Sequence, residues 1–126
     1  MRIYEITQPE LNAVEKFADA LWGKLGVDVE FTRHFMDRLN DPRNIKPISA
    51  AELVRIFRKE YEKYGKMISG ENFEAVFKDL LTNINLPFVM KDDPRTKGSD
   101  LVAKTIMRKQ DFKTPNPVFA VTENNP

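Results

Sequence analysis

The chain has 126 residues, 20 lysines and arginines against 19 aspartates and glutamates, one histidine and no cysteine. That length suits one domain with its own core, and the absence of cysteine excludes disulfides, thiolate metal sites and a cysteine nucleophile. The net charge of +1 creates no overall field that would commit the chain to nucleic acid or to a membrane. No apolar run approaches the length of a membrane span. The first residues, Met1-Arg2-Ile3-Tyr4-Glu5, lack the apolar segment of a secretion signal. A cytoplasmic protein with no membrane contact is therefore expected.

Ile3 to Ile6 reads as a short strand or lead-in. Thr7-Gln8-Pro9-Glu10 then forms a helix start, with Thr7 as cap, proline in the first turn and Glu10 closing a capping box. Leu11, Val14, Phe17, Ala18, Leu21, Trp22 and Leu25 follow at helical spacing, and Gly26 ends the run. Val27 to Phe31 alternates apolar and polar residues, which predicts a short strand or an extended entry to the next helix. Thr32 caps a second helix carrying His34, Phe35, Arg38 and Leu39, and Asp41-Pro42 ends it. Ser49-Ala50-Ala51-Glu52 is another capping box, opening a helix with Leu53, Ile56, Phe57, Tyr61 and Tyr64 on its apolar face and Gly65 as its stop. Phe73, Val76, Phe77, Leu80 and Leu81 fit helical spacing, predicting a further helix.

The character then changes. Leu86 to Lys91 reads as a strand, Asp92 to Ser99 as a polar hairpin turn, Leu101 to Lys109 as a strand with one mixed face, and Val118 to Val121 as a last short strand. Helices followed by strands predict an α+β fold, with N-terminal helices packed on a small C-terminal antiparallel sheet. Residues 1–121 form the expected globular domain and 122–126 a polar tail.

Three constellations carry chemistry. His34 and Arg38 stand four residues apart, on one face of a helix, and Arg43 follows just past its end. A neutral histidine can move a proton at neutral pH, and arginine offers a planar donor fork matched to phosphate. The competing reading is a histidine packed against the core, with the arginine paired to Asp37 or Asp41. The second constellation is basic: Lys91, Arg95, Lys97, Lys104, Arg108, Lys109 and Lys113. These suit a phosphate backbone, or equally an exposed sheet face kept soluble by lysine. Phe88, Phe112 and Phe119 lie nearby as base-stacking or core groups. The third is Asp92-Asp93 with Asp100, whose spacing matches no cation-binding loop; turn chemistry is the expected use, and no metal is expected. A glycine-rich phosphate loop and a nucleophile elbow are both missing, so no cofactor is expected.

The order of a histidine-bearing helix, a loop, a helix opened by Ile48-Ser49-Ala50-Ala51-Glu52-Leu53, and then basic strands resembles the barnase–EndoU–colicin–RelE class of small RNases and toxins. The pair Arg33-His34 followed by Ile48-Ser49-Ala50-Ala51-Glu52 is most similar to the phage-encoded and BrnT-like members, and Thr105 to Thr114 also resembles bacteriophage proteins. The resemblance covers roughly residues 30 to 121. It implies metal-independent cleavage of RNA, or RNA binding by an inactive relative. His34 would move a proton, and Arg38, Arg43, Lys91 and Arg108 would hold and stabilise the scissile phosphate. Arg33, Lys104, Thr105 and Lys109 would bind the substrate around it. The partner would then be RNA, in the host cytoplasm. The alternative is a bacteriophage accessory or virion protein that works through contacts with a phage or host protein.

Overall fold

The computed structural model describes residues 6–44, 46–95 and 98–122. The predicted lead-in at Ile3 to Ile6 falls almost wholly outside these residues, as does most of the polar tail. Helix α1 spans Gln8–Gly23. Its start is the capping box read from the sequence: the Glu10 amide donates to Thr7 Oγ1 at 3.3 Å and the Thr7 amide donates to Glu10 Oε1 at 2.9 Å. Leu11, Val14, Ala18 and Trp22 turn inward. Gly26, at φ +75°, reverses the chain into strand β1, Val27–Phe31, which shows the predicted alternation.

Helix α2 spans Arg33–Leu39 behind its Thr32 cap, and a 3-10 turn covers Pro42–Asn44. Helix α3 spans Ala50–Ile68 behind the second capping box. It does not stop at Gly65. A Cβ there would lie 2.9 Å from Leu25 Cδ1, so this glycine serves the close approach of the segment after α1 rather than helix termination. Trp22 anchors α1 against α3 and the sheet. Its indole donates to the Phe57 carbonyl at 3.3 Å, and its ring lies edge-on to Tyr61 and stacked with Phe77.

The segment expected to form a further helix is instead strand β2, Phe73–Asp79. The helical spacing of its apolar residues arises because Ala75, Val76 and Phe77 are all buried, so the two-residue alternation that marks a half-exposed strand is lost. Strand β3 spans Ile84–Asp93 and pairs antiparallel with β4, Gly98–Ala103; of the predicted hairpin turn between them, Thr96 and Lys97 lie outside the described residues. The run to Lys109 is not one strand. It breaks after Ala103 and resumes as the two-residue strand β5, Met107–Arg108, which pairs with the start of β3. The break lies beside Pro87, which has no amide to donate and accepts the Lys104 amide on its carbonyl at 3.0 Å. Strand β6, Val118–Val121, is as expected.

The α+β class holds. The sheet order is β1-β4-β3-β2-β6, with β5 also on β3. It is mixed rather than purely antiparallel: β2–β3, β3–β4 and β3–β5 are antiparallel, while β1–β4 and β2–β6 run parallel. One hydrophobic cluster, from Ile6 and Leu11 through Phe57 and Phe77 to Ile106, joins the helices to the sheet. Phe88 and Phe119 belong to this packing, in ring contact with Phe77 and Tyr64 respectively, so both serve the core. Among the described residues no helix is long and apolar enough to cross a membrane.

Candidate functional site

Helix α2 is short, yet both its ends are tied to the sheet. At its start the Thr32 hydroxyl donates to the Lys104 carbonyl at 3.0 Å and the Thr32 amide donates to the Ala103 carbonyl at 3.2 Å. At its end the buried Asn44 side chain donates to the Arg38 carbonyl at 2.8 Å, while its oxygen accepts from the Arg108 amide at 3.1 Å. Phe35 and Leu39 fill the inner face of α2, which leaves His34 and Arg38 on the outer one.

The facing wall is β5 and the residues after it. Two residues of ladder cannot hold a strand on their own, and polar side chains supply what the ladder lacks. Asn85, wholly buried on β3, donates to the carbonyls of Met107 and Lys109, and its oxygen accepts from Lys78 Nζ at 2.9 Å. Arg108 reaches inward. It forms a two-bond pair with Glu52, 2.9 Å on each arm, and also donates to the carbonyls of Thr82 and Pro47. With 8% of its side chain exposed, the Arg108 guanidinium is engaged within the wall. Burial alone would raise the Glu52 carboxyl, but its hydrogen bonds to Arg108 and to Ser49 hold it below the usual carboxylate range.

Between the walls lies an open cleft of about 660 Å³, to which Arg38, Asn44, Met107, Arg108 and Lys109 contribute. Arg38 donates to Asp41 at 3.0 Å and, through Nε, to His34 Nε2 at 3.5 Å. The pairing with Asp41 is the structural use foreseen for this arginine. Lys109 is exposed on the cleft.

The remaining sequence candidates fall in different places. Arg33 is exposed on α2, and the Arg43 side chain lies outside the described residues. Thr105 is half-buried in the link between β4 and β5. Lys104 is exposed and paired with Glu74 at 2.8 Å. Lys91 is remote. It sits seven positions along β3 from Ile84, the partner of Arg108, a separation of about 23 Å in an extended strand. The structure thus brings His34, Arg38 and Lys109 to one side of the molecule and sets Lys91 apart.

At the Lys91 end, Asp93 and Asp100 come together as the sequence suggested, joined by Asp28 rather than Asp92, with carboxylate oxygens within 4.8 Å of one another. Asp92 instead accepts from Asn72. Hydrogen bonds from Arg95 hold Asp93 below the usual range. Burial, followed by the charges of Asp93, Glu30 and Asp28, pushes Asp100 upward.

Sequence reasoning missed Asn44 and Asn85, the two buried amides that fix the walls. Neither sits in a motif; their roles depend on strands that meet only in the fold. Comparison with known protein families, with curated proteins and with solved structures finds no match to this chain.

Proposed function

We propose that this chain is a small RNA-acting domain that binds the RNA backbone in the cleft between α2 and β5 and cleaves it without a metal ion. The observation that carries this reading is the meeting of Arg38, hydrogen-bonded to His34, with Lys109 across one open cleft. Arg38 and Lys109 hold the phosphate, arginine by its fork and lysine as a point charge. His34 supplies proton transfer at the edge of this pair. Attack of a 2′-hydroxyl on its own phosphate needs a base and a leaving-group acid, and one histidine fills one of these roles. The carboxylate of Asp111, which also lines the cleft, is the available partner to accept the hydroxyl proton. The resemblance of the chain to the barnase–EndoU–colicin–RelE class agrees with such chemistry. On this reading Arg108 serves by holding the wall, and Lys91 lies too far away to reach the same phosphate.

The test is incubation of the protein with single-stranded RNA in excess EDTA. Cleavage by the wild type, reduced at least a hundredfold in His34→Ala, is the expected outcome. Equal cleavage by both, or none by either, removes catalysis.

A second reading, contact with a phage or host protein and no chemistry, has one observation in its favour. Leu80 and Leu81, at the turn between β2 and β3, are about half exposed.

A further inference from the structure

The cleft holds more than cations. Met107 contributes an apolar surface, and Asn83 and Gln110 contribute two side-chain amides. Both amide residues divide their labour in the same way. The Asn83 carbonyl accepts from the Lys109 amide and from Asn85, and the Gln110 carbonyl accepts from Lys78 Nζ. Their side-chain amides take no hydrogen bond from any described residue. The fold therefore uses the backbone of each and leaves two donor–acceptor side chains, on residues that line the cleft, without a partner among the described residues. Asn83 also stands at φ +61°, the one non-glycine residue with positive φ among the described residues.

We infer that the cleft receives one unpaired base of single-stranded RNA, resting against Met107 with its hydrogen-bonding edge read by the amides of Asn83 and Gln110. The inference rests on the RNA-acting reading above and names the form of RNA that the site takes. Three features direct it to a base rather than to phosphate alone. The volume falls in the range of small-molecule sites, about 300–1,000 Å³. An amide offers a donor and an acceptor side by side, which matches a base edge and is wasted on an all-acceptor phosphate. The cations Arg38 and Lys109 share the cleft, so a base on Met107 keeps its own phosphate within their reach. Base edges in a duplex are already paired and stacked, so a duplex cannot use the amides in this way.

Fluorescence anisotropy with three probes tests the inference: a labelled single-stranded RNA, the same strand annealed into a duplex, and a linear polyphosphate as competitor. Cleavage is suppressed by a 2′-O-methyl backbone. The variants are Asn83→Gly, which keeps the positive φ, and the surface change Gln110→Ala. Each is expected to weaken single-strand binding about tenfold while leaving competition by polyphosphate unchanged. The wild type is expected to prefer the single strand to the duplex. Wild-type affinity for the single strand in both variants, or equal affinity for duplex and single strand, overturns the base site. In that outcome a weakened binding of both single strand and polyphosphate in Lys109→Ala keeps the RNA-acting reading standing. Failure of the wild type to bind any probe overturns both.

Discussion

Two of the three glutamates of helix α3, Glu52 and Glu60, stand eight residues apart, about 12 Å along its axis, and the structure treats them in opposite ways. Glu52, in the first turn, accepts two hydrogen bonds from Arg108, whose strand lies 56 residues further on. Glu60 is wholly buried, and neither carboxylate oxygen has a hydrogen-bond partner among the described residues. Burial raises the Glu60 carboxyl to about 10; the Lys78 backbone offsets part of this, the Asp79 charge adds to it and Lys63 opposes it. Asp79 itself is paired with Arg55 Nε at 2.8 Å. What separates the two glutamates is whether a cation reaches them. The one that is reached stays charged and holds the β5 wall of the cleft; the other stays neutral and contributes packing.

The largest effect that would break this contrast is removal of the cation. Arg108→Ala leaves Glu52, the Pro47 and Thr82 carbonyls and the β5 wall without their common partner. The expected cost is about 3–5 kcal/mol, read from chemical denaturation. An unchanged midpoint would mean that Arg108 is not a structural tie, and would return it to the list of substrate-binding cations.

The next concerns the neutral glutamate. Its folded-state pKa lies above that of the unfolded chain, so its contribution to stability is intact below about pH 4.5 and declines as pH rises towards 10. The slope is about 1.4 kcal/mol per pH unit while the group is protonated only in the folded state. Glu60→Gln keeps the shape and removes the titration. The variant is expected to show a flatter profile of melting temperature against pH and to gain on the wild type steadily from pH 5 to 9. Parallel profiles would show that Glu60 is ionised in place and has a partner.

These two positions also show what the sequence could disclose. The capping box places Glu52 at the start of α3 and explains both of its backbone bonds, because that chemistry is local. The Arg108 bonds to the same carboxylate join segments far apart in the chain, and no spacing rule points to them. The same division runs through the fold. Thr7, Thr32 and Ser49 announce their helices, and the hairpin at Asp93 is visible in its polar turn. Strand β2 is disguised as a helix because it is covered on both faces. The parallel placement of β1 beside β4 has no sequence signal at all, since parallel pairing is decided by how the chain crosses over. At the site, His34 and Arg38 were readable as neighbours on one helix face. That Lys109, and not Lys91, stands opposite them depends on a break in the strand beside Pro87.

The smallest expected effect on stability is the sharpest test of the comparison, because it uses the residue next to Arg108. Arg108, the last residue of β5, turns into the protein with its guanidinium on Glu52, while Lys109, just past the strand, is exposed and lines the cleft. The Lys109 ammonium has no hydrogen bond or ion pair among the described residues. Lys109→Ala is therefore expected to shift stability by no more than about 0.5 kcal/mol. Its effect on binding should be separate and specific. If Lys109 neutralises one phosphate, its loss weakens RNA binding across sequences and lowers the slope of log affinity against log salt by about 1. A destabilised variant with an unchanged salt slope would make Lys109 a second Arg108, a structural cation, and would leave Arg38 alone to hold the phosphate. An unchanged melting temperature with the reduced slope assigns the two neighbours their opposite tasks: one cation turned inward to fix the wall, the next turned outward to use it.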